Sequence, residues 1–158
     1  MPANSTNKGL AEELFVAREA IGKGCNVSLP YGGKAKYDLL IERGGEVLKI
    51  QVKTANSVSS DRPLILQIRG LDGYVESQVD FFAGVVDLDE IDAEEEPSVD
   101  VPRHIFYKEF GEVDGKTARV NYRQPEALPT DDHRQEANLT EEFDFDAKID
   151  SQLYGTES

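Results

Sequence analysis

Two adjacent glycines, Gly44 and Gly45, constrain this chain more than any other residues. They separate two runs, 37–43 and 46–54, and together supply the positive φ angles that a two-residue hairpin turn demands. In the second run Leu48, Ile50 and Val52 alternate with Val47, Lys49, Gln51 and Lys53, the period-two pattern of a strand with one buried face. Antiparallel pairing through this turn sets residue 43 opposite 46, and counting back from there sets Asp38 opposite Gln51. Side chains paired in this way have Cβ atoms roughly 4.5–5.5 Å apart. Lys53 projects from the same face one step further along. The turn therefore brings a carboxylate, an amide carbonyl and an ammonium to one end of a hairpin.

Two readings of that cluster stand side by side. Oxygen ligands suit Mg²⁺, which takes one or two carboxylates together with waters and phosphate oxygens, and an ammonium offsets charge on a reacting phosphate. A Lys49-Gln51-Lys53 stripe opposite Leu48-Ile50-Val52 is equally what any half-exposed strand shows.

The rest of the chain predicts an α/β domain with a mixed central sheet. Leu10, Leu14, Ala17 and Ile21 recur at helical spacing over residues 9–22, with Asn7 placed as an N-cap and Gly22 and Gly24 as stops. A short strand is expected over 25–29, ended by Pro30, and others over 64–68 and 79–86. The run from Phe81 to Val86 is apolar throughout, as in a strand buried on both faces. Residues 87–100 form an acidic loop, 102–110 and 117–123 add edge structure, and 131–143 are read as a polar helix. One domain over residues 1–146 and a disordered acidic tail over 147–158 complete the division.

Composition removes several classes. A single cysteine, Cys25, makes no intramolecular disulfide, and the longest strongly apolar run is far below the roughly 18 residues of a membrane span. The N-terminal residues carry no apolar signal-peptide core, so a cytoplasmic protein is expected. His104 and His133 are isolated, and with one cysteine they assemble no zinc site. Gly33-Lys34 is not a phosphate-cradling loop, because that pattern needs glycine where Ser28 stands. Lys34, Lys36, Arg62 and Arg69 read either as phosphate contacts or as solvated side chains.

Residues in order along the chain then carry a family likeness. Gly9-x-x-x-Glu13 on the first helix, Gly-Cys-Asn-Val-Ser-Leu-Pro over 24–30, Tyr37-Asp38-Leu39, Gln51-Val52-Lys53-Thr54-Ala55, and Tyr74 followed by Val79-Asp80-Phe81-Phe82-Ala83 together resemble the PD-(D/E)XK nuclease superfamily. Within it, the likeness is to small enzymes near the archaeal Holliday-junction resolvases and the intron-type homing endonucleases, and it covers about residues 8–106. It implies a restriction-endonuclease-like fold, a mixed β-sheet flanked by helices, and a metal-dependent hydrolase that cuts DNA phosphodiester bonds.

Carried across, Asp38 becomes the central metal-binding carboxylate, Gln51 stands in place of the usual Glu of the E-x-K pair, and Lys53 is the lysine. Glu13 becomes the helix carboxylate that orients the metal. The expected helical wheel favours it over Glu12, which that wheel sets on the opposite face. The implied ion is Mg²⁺, with Mn²⁺ as substitute, bound by Asp38, Gln51 and Glu13. Gln51 brings no charge and cannot act as a base, so a catalytically weak or inactive nuclease-like module that binds DNA or protein is the alternative. The proline of the family motif is also absent, with Tyr37 before Asp38. A resolvase acts as a symmetric dimer, which leaves a homodimer open; no dimerisation patch is visible in the sequence.

The net charge of −14, taken as a single number, argues against a polyanionic substrate. It is unevenly spread. Residues 1–70 hold ten bases and seven acids, +3, whereas residues 71–158 hold seven bases and 24 acids, −17. Every candidate catalytic residue lies in the first part. Acids scattered from Asp72 to Glu157, with only nine lysines in the chain, suggest a halophilic, archaeal setting. At 1 M salt the Debye length is about 3 Å, and distant acids then hardly repel DNA.

Overall fold

The computed structural model of the chain describes residues 2–31, 35–94, 103–113 and 115–121. The glycine hairpin forms as expected. Strand β2 (Leu39–Arg43) and strand β3 (Glu46–Thr54) run antiparallel, with Arg43 opposite Glu46 and Leu39 opposite Ile50. Gly44 and Gly45 take φ of 62° and 89°, a region costly for any residue with a Cβ. Leu48, Ile50 and Val52 are buried on one face of β3.

Helix α1 (Pro2–Gly22) covers that face, and two expectations fail on it. The buried stripe is Val16, Ala17 and Ala20, while Leu10, Leu14 and Ile21 are 48%, 53% and 58% exposed. The wheel drawn through Leu10, Leu14, Ala17 and Ile21 was therefore rotated. The chain has two apolar helical faces, and the one holding two alanines packs on the sheet, where small side chains permit close approach. Glu12 accordingly does not face away; it is half-buried, and Thr54 Oγ1 donates to its Oε1. Asn7 does not stand at the helix start, because the helix begins five residues earlier, at Pro2. The C-terminal end follows expectation: Gly24 has φ of 92°, and Cys25 N donates to Ala20 O at 3.1 Å, closing the last turn.

Strand β1 (Asn26–Ser28) adds to the free edge of β2. On the other side β3 pairs in parallel with β6 (Phe81–Asp87), which pairs antiparallel with β7 (Arg103–Glu109). The order β1-β2-β3-β6-β7 is the expected mixed sheet. Asp80 fastens the entry of β6 onto β3: Lys49 N donates to its Oδ2 at 2.8 Å, and its own N–H donates to Lys49 O at 2.9 Å.

The crossover from β3 to β6 holds β4 (Asn56–Ser59), β5 (Arg62–Arg69) and a 3₁₀ turn, Leu71–Gly73. Strand β4 was not foreseen, because its Asn-Ser-Val-Ser sequence has no apolar alternation. It forms by pairing with β5. With β8 (Thr117–Asn121) these strands make a second sheet, β4-β5-β8, on the face of the main sheet opposite α1. Strand β6 is buried on both faces as expected, sending Phe81, Ala83 and Val85 to the helix side and Phe82 and Val86 to the second sheet. The acidic stretch begins as the end of β6 and a 3₁₀ turn, Leu88–Glu90; its residues 95–100, the polar helix at 131–143 and the tail from 147 lie outside the described residues.

Candidate active site

Asp38 occupies a bend immediately before β2, one residue outside the strand expected to hold it. It still continues the ladder. Its N–H donates to Ile50 O at 2.8 Å, and its Oδ2 accepts from Val52 N at 2.8 Å. Asp38 thus follows the hairpin register towards Gln51 while its carboxylate turns across the end of β2.

From that point it meets groups from both faces of the sheet. On the helix side Glu13 hydrogen-bonds its carboxylate. Burial, then the Asp38 charge, then that hydrogen bond raise the Glu13 pKa from 4.5 to about 7. Asp38 is raised too, chiefly by burial; the Val52 N–H, the hydrogen bond from Glu13 and the Lys53 charge oppose the rise. Glu13 is the acid of the pair pushed towards its protonated form, the direction expected when a partly buried carboxyl group faces a second one. On the other side the Lys53 ammonium stands 5.1 Å from the ring centroid of Tyr74. Gln51 is half-buried, with Nε2 at a long 3.4 Å from Val52 O.

The fold therefore brings Glu13, Asp38 and Lys53 into electrostatic contact, with Gln51 adjacent on β3. Their oxygen donors, two carboxylates and an amide carbonyl, are those a hard divalent cation takes. Among the described residues no group of three His, Cys, Asp or Glu side chains is arranged to hold a metal, in keeping with a neutral Gln51. Tyr74 was noticed in the sequence only as part of the family likeness; its approach to Lys53 spans 21 positions and no local pattern signals it.

A cavity of about 710 Å³ lies beyond the end of β3, lined by Glu12, Thr54, Ser57, Asp87 and Arg103 among others. None of Glu13, Asp38, Gln51 or Lys53 lines it. Chemistry marks the carboxylate pair as the candidate centre more strongly than volume marks the cavity.

The raised pKa of Glu13 makes stability depend on pH. Glu13 in the folded chain keeps its proton to about pH 7, against 4.5 for an ordinary glutamate. A raised pKa contributes stability that is complete below the unfolded value and is lost as pH rises through the folded one. In thermal melts of metal-free protein, Glu13→Gln should exceed the wild type in Tm by a margin that is small near pH 5 and largest near pH 8. A margin independent of pH would contradict the raised pKa.

A family model described as PD-(D/E)XK endonuclease matches residues 3–145. Protein 5.3 of Escherichia phage T7 is 34% identical over 85 residues, covering 51% of this chain and 72% of that protein. Among solved structures, the bacterial homing endonuclease I-Ssp6803I is similar with a TM-score of 0.56 and 17% identity, over 78% of this chain and 80% of that one. At that identity the likeness is one of fold.

Proposed function

The chain belongs to the PD-(D/E)XK endonuclease family, and on that premise we propose that it is a divalent-metal-dependent enzyme hydrolysing DNA phosphodiester bonds with Glu13, Asp38, Gln51 and Lys53. The observation that carries this reading is the hydrogen-bonded pair Glu13–Asp38 within the field of Lys53. Two acids from distant segments held together in this way cost stability, and such arrangements concentrate where charge is to be used.

Glu13 and Asp38 would hold Mg²⁺ or Mn²⁺ through carboxylate oxygens, and Gln51 through its carbonyl. When bound, the cation supplies a Lewis acid that lowers the pKa of water and offsets charge on a phosphoryl oxygen. The protein's own part is positional. The Val52 N–H orients the Asp38 carboxylate, and Glu13 would have to be deprotonated to serve as a ligand. The Lys53 ammonium stabilises charge that develops on the phosphoryl oxygens. Gln51 only binds, because an amide is no base.

The test incubates the protein with linear, supercoiled and four-way-junction DNA, at low and at multi-molar KCl, with Mg²⁺, Mn²⁺ or EDTA. Cleavage should occur in the metal arms and vanish with EDTA. No cleavage in any arm overturns the enzymatic reading. Neutral Gln51 favours one alternative, a DNA- or protein-binding module with the nuclease fold. Calorimetric titration with Mg²⁺ or Mn²⁺ separates the two, since the module should give no heat of binding. The salt arms test the halophilic setting: if it holds, activity persists in molar KCl, where screening has weakened phosphate contacts.

A further inference from the structure

The candidate lysine lies on a long flexible stem, whose rotamer freedom must be lost before its ammonium can be held in one place. The second sheet supplies what holds it. Tyr74 is half-buried, and its ring faces the Lys53 ammonium at 5.1 Å. The ring is itself braced. It meets Phe82 edge-on, with centroids 5.4 Å apart and planes at 73°, and fully buried Phe82 stacks on Phe110 at 6.3 Å.

The backbone around Tyr74 is also tied down on both sides. Before it, Leu71 N donates to Lys116 O at 3.0 Å, and the Leu71 side chain is buried. After it, Val75 N donates to Gln78 Oε1 at 3.0 Å and Gln78 N to Val75 O at 2.9 Å. Gly70, with φ of 74°, also lies close: a Cβ added there would stand 3.6 Å from Lys53 Nζ. The ammonium thus has both a braced aromatic face and a close-passing backbone as neighbours, and the ring quadrupole attracts it.

We propose that Tyr74 is a positioning residue for Lys53, its ring face holding the ammonium in place at the active site. The proposal deepens the nuclease reading, and its catalytic arm rests on that reading. It also assigns a task to the β4-β5-β8 sheet: the loop carrying Tyr74 leaves β5 and is anchored to β8's approach through Lys116.

The decisive comparison is Tyr74→Leu, which removes the quadrupole and keeps an apolar side chain, against Tyr74→Phe, which keeps the ring face. The first readout needs no substrate. In metal-free wild type and Tyr74→Phe, the Lys53 ε-methylene protons should show an upfield ring-current shift, lost in Tyr74→Leu. In cleavage assays with Mg²⁺, Tyr74→Leu should lower kcat roughly 3- to 30-fold with KM unchanged. Tyr74→Phe should retain kcat within about 2-fold.

Unshifted Lys53 protons in the wild type overturn the proposal, and that measurement depends on no variant folding. Equal losses in Tyr74→Leu and Tyr74→Phe overturn it as well, because the hydroxyl would then be the group that matters. So does wild-type kcat in Tyr74→Leu. Failure of the nuclease reading looks different: no cleavage by any form, or normal cleavage by Lys53→Ala, with the ring-current signature still deciding whether Tyr74 holds Lys53.

Discussion

Asp38→Ala should abolish DNA cleavage, with a loss of at least about 10³-fold, and Lys53→Ala should lower it by roughly 10²–10³-fold. Asp38 has the larger effect because its carboxylate is the meeting point of the site. It is the group that Glu13 hydrogen-bonds, that the Val52 N–H orients and that the Lys53 charge reaches. Lys53 lies further out and contributes one preorganised charge.

The two variants also differ in their expected effect on the fold. Asp38→Ala leaves the Val52 N–H without its carboxylate acceptor, which costs about 1–3 kcal/mol. Asp38→Asn keeps an acceptor oxygen and should restore stability without restoring activity. Lys53→Ala should fold normally. Single-turnover cleavage of supercoiled DNA, with melting curves alongside, measures both properties. If Asp38→Ala and Lys53→Ala both cleave at the wild-type rate, the proposed centre is wrong.

Gly84→Ala should lower stability markedly for a change of one carbon. Gly84 lies in the middle of β6, opposite Phe106 of β7, and a Cβ there would stand 2.5 to 2.9 Å from three atoms of the Phe106 ring. Phe106 is fully buried and cannot swing into solvent. Either the ring or the strand must move, at roughly 1–3 kcal/mol and a Tm loss of about 5–15 °C. Combining Gly84→Ala with Phe106→Leu should cost less than the sum of the two single changes, because the truncated side chain vacates the clash. Strict additivity in chemical denaturation would show that the close approach does not set the cost. Gly44 and Gly45 are different: their φ angles require glycine, whereas Gly84 is required for space.

The candidate site was partly legible before folding was considered. The pairing of Asp38 with Gln51, and Lys53 on the same side as Gln51, follow from counting through the glycine turn, and Leu39 opposite Ile50 bears that count out. Glu13 was named by the family likeness, and the helical wheel that set it above Glu12 is what the structure removes. The expected stripe through Leu10, Leu14 and Ile21 is exposed, and the true one, through Val16, Ala17 and Ala20, turns both Glu12 and Glu13 towards the sheet. What separates the two acids is the partner each meets, Thr54 for Glu12 and Asp38 for Glu13.

By itself, then, the sequence determined the hairpin, its register, the apolar strand β6 and the order of elements that places this chain among the PD-(D/E)XK endonucleases. These depend on neighbouring residues: the φ freedom of two glycines, the period of a strand, the stop at a proline. Only the tertiary structure decided which face of α1 packs inward, and that β4, a strand without apolar alternation, pairs with β5. It alone decided that Tyr74 stands over Lys53. Those choices are made by packing between distant segments, where several faces are equally apolar on paper and close approach selects one of them.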